Sequence, residues 1–226
     1  MKTYAIIVAA GNSSRMKSNS SKQFIMLDKM PLLAYTLKAF SDSDVIDEII
    51  IVTRSHDILK VRDMALEFSI SKVTAIIPGG NTRQESVALG LLQVENPSYV
   101  LIHDGARPFI TPSKIAEVCS ELCKNDAVTL GVPVKDTIKI VDDNGIIIET
   151  LNRDMLMQIQ TPQGFKAEII KEAHLRAEKS GIVTTDDCSL VAEEMKIPTK
   201  VILGDYNNIK ITTQEDLDIA RGILKI

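Results

Sequence analysis

Short, continuous apolar runs alternate with amphipathic segments along most of the chain. The runs are rich in β-branched residues and stop at glycine, proline or polar residues. Because such runs suit strands that are covered on both faces, they predict a parallel sheet. The predicted strands are residues 5–8, 49–52, 73–77, 100–103, 128–132, 200–203 and 208–211.

Amphipathic segments between these runs predict helices. Residues 31–40 repeat leucine and phenylalanine at helical spacing, and Thr82 with Glu85 forms a capping-box pattern for a helix through Leu92. Other helices are predicted after Thr111-Pro112, over residues 167–180, after Thr185-Asp186-Asp187 and after Thr213. The alternation predicts the α/β class: a Rossmann-like, mostly parallel open sheet with helices on both faces, in a single domain over residues 1–226.

One segment breaks the alternation. Two β-rich runs, residues 137–141 and 146–149, flank Asp142-Asp143-Asn144-Gly145, and Asn-Gly is a strong hairpin signal. A two-stranded ribbon is marginally stable alone, so it either folds back on the domain or packs on a second subunit. We favour the second alternative because paired arms in a C2 dimer bury both faces at once. Residues 133–152 are therefore predicted to be an inserted β-hairpin arm for dimerisation.

Composition narrows the classes of function. The chain of 226 residues has a net charge of −4 and no basic run, which disfavours nucleic acid and membranes as partners. It shows no leader pattern and no apolar run long enough for a bilayer, which predicts a cytoplasmic protein. The 3 cysteines and 3 histidines form no metal-ligand spacing.

A turn of small residues follows the first predicted strand. Gly11, Arg15 and Lys22 stand within the reach of one loop. Backbone N–H groups and two cations suit a ligand with several negative charges, such as a nucleoside triphosphate. The loop lacks both the GxGxxG of dinucleotide-binding folds and the GxxxxGK[ST] of P-loops, which excludes those two chemistries. The alternative is a solvated turn with two surface charges.

Further polar residues follow other predicted strands at the same edge of the sheet. Asp104 is placed where parallel sheets bind ligands, and beside a triphosphate it would be a natural Mg²⁺ ligand. Arg107 could contact a second phosphate bidentately. The pair Gly79 and Gly80 lets the backbone approach a flat base, with the Ser86 hydroxyl nearby. The alternatives are a helix-capping aspartate beside an arginine, and a plain turn before a capped helix.

Taken in order, these motifs resemble one family over nearly the whole chain: the 2-C-methyl-D-erythritol 4-phosphate cytidylyltransferases of the non-mevalonate isoprenoid pathway. The matching motifs are residues 9–16, Lys22-Gln23-Phe24, residues 79–87, residues 103–108, Lys135-Asp136-Thr137, residues 160–165, Thr185-Asp186-Asp187 and residues 208–212. Each motif is weak alone, and the ordered set is specific.

The resemblance implies that CTP and the sugar-alcohol phosphate react with Mg²⁺ in a homodimer, giving the CDP-alcohol and pyrophosphate. It implies that Arg15 and Lys22 stabilise charge on the α-phosphate, and that Asp104 is the metal-associated carboxylate. The residues implied for catalysis are Arg15, Lys22, Arg153 and Lys210. The residues implied for the nucleotide are Ala9, Ala10, Gly11, Gly79, Gly80, Arg83, Ser86 and Asp104. The residues implied for the sugar-alcohol phosphate are Arg107, Thr185 and Lys210, with Thr137 and Arg153 from the partner's arm.

Three rival functions share parts of this pattern. A ribitol-5-phosphate cytidylyltransferase has the same scaffold, but Ala10, Ala106 and residues 185–187 resemble the methylerythritol group more closely. A sugar-1-phosphate nucleotidylyltransferase is disfavoured by the hairpin and by residues 160–165. A nucleotide-binding subunit without activity is disfavoured because the chain keeps both loop cations.

Overall fold

The structure is a computed structural model, and it describes residues 1–11 and 21–225. Its strands are β1 (Lys2–Val8), β2 (Met26–Leu27), β3 (Met30–Pro31), β4 (Glu48–Thr53), β5 (Val73–Pro78), β6 (Ser98–Asp104), β7 (Ala127–Pro133), β8 (Lys139–Val141), β9 (Ile147–Thr150), β10 (Met157–Lys166) and β11 (Lys200–Leu203). Its helices are α1 (Leu32–Ser41), α2 (Ile58–Glu67), α3 (Arg83–Leu91), α4 (Pro112–Leu122), α5 (Ala167–Ser180), α6 (Asp187–Met195) and α7 (Gln214–Leu224). In the described part of the chain, no helix is both long and apolar enough to cross a bilayer.

The main sheet confirms the predicted α/β class. Among the described residues it has seven strands in the order β11-β7-β10-β6-β1-β4-β5. β10 runs antiparallel to both of its neighbours, whereas the other neighbouring pairs are parallel. The parallel strands β1, β4, β5 and β6 therefore end at one common edge, and that edge carries Asp104.

Helices cover both faces of this sheet. In β1, Ala5 and Ile7 pack into a core with α1, α2 and α4, while Tyr4 and Ile6 pack into a core with α3, α5 and α6. Successive side chains of a strand point to opposite faces, so both sets must be apolar when both faces are covered. This double burial explains why the strands appear in the sequence as unbroken apolar runs.

The segment at residues 208–211 corrects one prediction, because it is not a strand. Its apolar side chains pack instead on α7, where Ile211 lies buried with Leu217 and Ala220. The Ile211 N–H donates to the Ala106 carbonyl at 2.9 Å, which ties the segment to the turn after β6. A β-like pattern here reflects a third apolar cluster beside the sheet.

Threonine caps begin three of the predicted helices as expected. The Thr111 and Thr213 side chains accept N–H groups of α4 and α7, and α7 has a complete capping box. Thr82 Oγ1 accepts from the Glu85 N–H at 3.0 Å. The Glu85 carboxylate accepts from the Thr82 hydroxyl at 3.3 Å and from the Asn81 N–H at 2.8 Å, rather than from the Thr82 N–H. The cap at Thr82 is therefore confirmed, with its reciprocal bond shifted by one residue.

The predicted hairpin is present as β8 and β9, which pair with each other in a separate two-stranded sheet. Gly145 adopts a positive φ of 79° in its turn, a conformation that glycine adopts without strain. Ile147 and Ile148 are 59% and 66% exposed, so the ribbon presents apolar side chains to its surroundings.

Candidate active site

A cavity of about 500 Å³ lies at the common edge of the parallel strands. Residues at and after the ends of β1, β4, β5 and β6 line it, together with Lys210 and Thr212. The predicted site residues in its wall are Ala9, Ala10, Gly11, Lys22, Gly79, Gly80, Arg83, Ser86, Asp104 and Lys210. The fold thus brings together groups that are up to two hundred positions apart in the sequence, at the edge where such sheets bind ligands.

Asp104 is the centre of a cluster of charges in this wall. Its Oδ1 lies 3.1 Å from Arg83 Nε, and its Oδ2 lies 2.8 Å from Lys210 Nζ. Arg107 Nε is 3.9 Å from the same Oδ2. Because Arg83 also pairs with Asp187 at 2.8 Å, three cations face two carboxylates among these described side chains. The cluster therefore has an excess of positive charge, which suits a polyanionic ligand.

The cations determine the protonation of the two carboxyl groups. Burial alone would raise the pKa of Asp104, but Arg83, Lys210 and Arg107 hold that pKa well below its usual range. In the same way Arg83 and His174 outweigh the effect of burial and lower the pKa of Asp187. Both groups are carboxylates at neutral pH. Burial alone would lower the pKa of Arg83, but Asp187 and Asp104 raise it, so the guanidinium stays charged.

Asp187 is a residue whose role sequence reasoning missed. It belongs to the predicted motif 185–187, but the sequence does not show that its side chain is 2% exposed and paired with Arg83. The pair connects the first residue of α6 to the first residue of α3. Arg83 lies between Asp104 and Asp187 and therefore has a fixed orientation.

The loop after β1 is described only in part. Lys22 lies in the cavity wall and its Nζ donates to the Ile211 carbonyl at 3.2 Å. Gln23, which is buried, donates to the Ala9 carbonyl and so ties the two ends of the loop together. Arg15 lies outside the described residues, and its predicted contact with the α-phosphate stays a prediction.

Gly79 fits a narrow space beside the first loop. A Cβ there would come 2.4 Å from the Ala10 Cβ and 2.8 Å from Ser86 Oγ. The Ser86 hydroxyl itself donates to the Thr82 carbonyl at 2.8 Å and accepts from the Gly80 N–H at 3.2 Å. Glycine is thus required here by close protein packing, and the Ser86 oxygen can offer a ligand only a further acceptor site.

The turn after β6 is held by a buried histidine. His103 Nε2 lies 3.2 Å from the Arg107 carbonyl and Nδ1 lies 3.0 Å from Thr161 Oγ1, which accepts the Asp104 N–H at 3.1 Å. Since a carbonyl only accepts, Nε2 carries the proton and the hydroxyl donates to Nδ1. Burial lowers the pKa of His103 to about 3, so the ring is neutral. This arrangement fixes the backbone of Asp104 and Arg107.

A second cavity, of about 350 Å³, adjoins the first. Arg83, Asp104 and Lys210 line both cavities, and Arg107 and Thr185 line the second. Arg107 donates from Nη1 to the Asn208 carbonyl at 2.7 Å, which holds its guanidinium in place. The predicted residues for the nucleotide and for the second phosphate thus lie on two sides of one charged wall.

Thr137 and Arg153 line neither of these cavities within the chain. Arg153 Nη1 donates to the Lys135 carbonyl at 3.1 Å, at the root of the arm. Their predicted contact with a substrate would therefore need the arm of a second copy.

The side chains of the site suit a magnesium ion that is held partly by the protein and partly by a bound phosphate ligand. Within the described residues, no group of three His, Cys, Asp or Glu side chains could hold a metal alone. Mg²⁺, however, typically takes one or two carboxylates together with water and phosphate oxygens. Asp104, which is ionised and faces the cavity, meets that requirement once a triphosphate is present.

Comparison with known proteins gives a consistent result over the whole chain. The profile of the family described as IspD, 2-C-methyl-D-erythritol 4-phosphate cytidylyltransferase, matches residues 3–226. A curated relative of that name from Dehalococcoides mccartyi is 44% identical over 226 residues, which cover 99% of this chain and 96% of the relative. Another, from Clostridium novyi, is 44% identical over 225 residues, covering 99% and 97%.

Solved structures agree with these relatives. The 4-diphosphocytidyl-2C-methyl-D-erythritol synthase from Anaerococcus prevotii superposes with a TM-score of 0.88 at 35% identity, covering 100% of this chain and 96% of that one. The 2-C-methyl-D-erythritol 4-phosphate cytidylyltransferase from Thermus thermophilus gives a TM-score of 0.79 at 27% identity, covering 98% of each chain.

Proposed function

The chain belongs to the 2-C-methyl-D-erythritol 4-phosphate cytidylyltransferase family, and from that premise we propose how its site performs the reaction. The enzyme transfers a cytidylyl group from CTP to 2-C-methyl-D-erythritol 4-phosphate (below, methylerythritol phosphate). The products are 4-diphosphocytidyl-2-C-methyl-D-erythritol and pyrophosphate. The reaction is a step of the non-mevalonate isoprenoid pathway.

We propose that CTP occupies the first cavity and methylerythritol phosphate the second. The observation that carries this assignment is the wall of Arg83, Asp104 and Lys210, which the two cavities share. The α-phosphorus of CTP would lie at that wall, within reach of an acceptor phosphate on the other side. Ala9, Ala10, Gly11, Gly79, Gly80 and Ser86 would surround the cytidine part.

In the proposed step, an oxygen of the acceptor phosphate forms a bond to the α-phosphorus of CTP. The bond from that phosphorus to the bridging oxygen breaks, and pyrophosphate leaves with the electron pair. The acceptor is already ionised, because a phosphate monoester carries a charge of about −1.5 to −2 at pH 7. The site therefore needs no general base, and His103 is unsuited to that role since both ring nitrogens are hydrogen-bonded.

The main obstacle is the mutual repulsion of two polyanions. We assign Arg15, Lys22 and Lys210 to the charge that grows on the α-phosphate, and Arg107 and Thr185 to the acceptor phosphate. Positioned cations that act in a water-poor site stabilise such charge without reorganisation. The excess positive charge around Asp104 supports this assignment.

We also propose that Asp104 and the phosphate oxygens of CTP together hold Mg²⁺. Lys210 is 40% exposed along its side chain, so its ammonium can leave the carboxylate when phosphate arrives. When bound, Mg²⁺ would neutralise phosphate charge and make the α-phosphorus more electrophilic. Arg83 would stay on Oδ1 and keep the carboxylate oriented.

Finally, we propose that residues 1–226 form one nucleotidyltransferase domain and that the arm, residues 133–152, joins two copies in a homodimer. Thr137 and Arg153 would then reach the second cavity of the partner. The exposed isoleucines of the arm support this, since an isolated ribbon does not cover them. We further propose a cytoplasmic location, where CTP is available.

Pyrophosphate release tests the assignment of substrates. The purified enzyme with CTP and Mg²⁺ is given either methylerythritol phosphate or ribitol 5-phosphate. We expect rapid release with the first acceptor and background release with the second. Equal or faster release with ribitol 5-phosphate would favour the rival cytidylyltransferase and reject our assignment.

A further inference from the structure

The loop between α5 and α6 carries Thr185 into the second cavity, and its conformation needs an explanation. Helix α5 ends at Ser180, and the capping residue Gly181 has a positive φ of 73°. Helix α6 begins after the Asp186 cap. Thr185 lies between these points and is exposed, so its position depends on what holds the backbone on either side.

The side chain of Gln84 holds the first half of this loop. Its Nε2 donates to the Ile182 carbonyl at 3.0 Å, and its Oε1 accepts the Thr184 N–H at 3.1 Å. The amide therefore pairs with a backbone acceptor and a backbone donor two residues apart, as a neighbouring strand would. These contacts join residues 98 and 100 positions apart in the sequence.

Gln163 holds the second half of the loop in a similar way. Its Oε1 accepts the N–H groups of Asp187 and Cys188 at 3.0 and 3.3 Å, and its Nε2 donates to Asp186 Oδ2 at 2.6 Å. The backbone is thus held by Gln84 before Thr185 and by Gln163 after it. Gln163 also belongs to the central sheet and is fully buried, so a change there would disturb the core, whereas Gln84 is half-buried.

We propose that Gln84 is a positioning residue for the acceptor substrate: its amide fixes the loop that presents Thr185 to the phosphate of methylerythritol phosphate. The inference rests on the proposed role of Thr185. Gln84 directly follows Arg83, which orients Asp104. The first turn of α3 therefore fixes both the carboxylate between the two cavities and the loop on the acceptor side.

Replacement by methionine keeps the length of the side chain and removes both hydrogen bonds. For Gln84→Met we expect the KM for methylerythritol phosphate to rise on the order of tenfold, since each neutral hydrogen bond contributes modestly. The KM for CTP and the kcat at saturating acceptor should change by less than about twofold, because Gln84 reaches neither the nucleotide nor the α-phosphorus. Gln84→Asn, which is too short to span both partners, should give an effect of the same kind.

The matched control is Gln93→Met, an exposed glutamine just beyond the end of the same helix. Its kinetic constants should equal those of the wild type. Hydrogen exchange of the peptide covering residues 182–186 gives a readout independent of activity. Exchange there should be faster in both Gln84 variants and unchanged in the control.

Thr185→Ala separates failure of the inference from failure of the proposed function. If Thr185→Ala leaves the KM for methylerythritol phosphate unchanged, the proposed role of Thr185 is wrong, and the inference falls with it. If Thr185→Ala raises that KM while the folded Gln84 variants do not, the inference alone is overturned. An equal rise in the KM for CTP in the Gln84 variants would also overturn it, because that result indicates a general disturbance of α3.

Discussion

At the scale of single residues, the site depends on how a few buried charges are compensated. Asp104 and Asp187 are buried carboxylates that share Arg83, and Lys210 and Arg107 complete the cluster on the cavity side. The sequence predicted the residue types, since Asp104 and Arg107 follow an apolar strand. It did not predict Asp187, because a second aspartate before a helix is usually a solvated cap.

Lys22 gives a test of transition-state stabilisation. We expect Lys22→Ala to lower kcat on the order of a hundredfold or more and to change the KM for CTP much less, since the cation acts on charge that grows during the reaction. Steady-state kinetics at varied CTP measures both constants. Lys29→Ala, an exposed lysine of the following turn, serves as the control. A variant with normal kcat and a raised KM would mean that Lys22 binds only the ground state.

Asp187 gives a test of the buried pair. Asp187→Asn leaves Arg83 with one fewer counter-charge, and we expect a loss of about 3 kcal/mol of unfolding free energy at pH 7. The surface variant Asp218→Asn, whose ion pair with Arg221 is exposed, should change little. Urea unfolding at pH 7 measures both.

The same pair predicts a pH dependence. The folded pKa of Asp187 is lowered, so its stabilisation is complete above the unfolded pKa of about 3.9 and is lost as the pH falls towards the folded value. The difference between wild type and Asp187→Asn should therefore shrink below about pH 4. A difference that stays constant or grows with acidification would show that the charge of Asp187 does not stabilise the fold.

At the scale of helices and strands, prediction succeeded where both faces of an element are apolar. The strands of the parallel part of the sheet, the threonine caps and the hairpin follow from local pattern. The strand β10 was not predicted, because Gln160, Thr161 and Gln163 are polar yet buried between two strands. Their hydrogen bonds to distant groups satisfy them, and sequence pattern does not show such partners. The strand predicted at residues 208–211 was wrong for the opposite reason, since the apolar side chains of this segment pack on α7 without joining a sheet.

The contact between the first loop and α3 is testable through a matched pair of glycines. Gly79→Ala places a Cβ 2.4 Å from the Ala10 Cβ, and we expect it to lower the unfolding free energy by about 1–3 kcal/mol and to raise the KM for CTP. Gly222→Ala, in α7 with open space around it, should be stabilising by about 0.5–1 kcal/mol. Thermal or urea unfolding of both variants measures the contrast, and equal effects would refute the packing argument.

At the scale of the whole molecule, the arm determines whether one chain forms a complete active site by itself. Its two strands are exposed, and Thr137 and Arg153 lie away from both cavities. The hairpin was predicted from Asn-Gly between β-rich runs, but no local pattern indicates which surface covers it. The proposed dimer would supply that surface and would complete each site with residues from the partner.

Mixing two inactive variants tests the exchange of residues between subunits. Lys22→Ala and Arg153→Ala are each expected to be nearly inactive as homodimers. If Arg153 acts on the partner's site, half of the randomly mixed dimers contain one intact site, which restores about a quarter of the wild-type activity. Activity is measured by pyrophosphate release after the subunits are dissociated and reassociated. A mixture without activity would contradict the exchange of Arg153 between subunits. Equilibrium sedimentation at micromolar concentration tests the dimer itself, and a monomer there would contradict it.

The central claim is that the cations of the first loop and the wall of Arg83, Asp104 and Lys210 meet at the α-phosphorus of CTP. A crystal structure of the enzyme with CTP and Mg²⁺ tests this most directly. We expect Lys22 and Arg15 to contact the α-phosphate, and Asp104 to help hold the metal. A triphosphate bound elsewhere, or both cations turned away from a cavity that CTP fills, would contradict it.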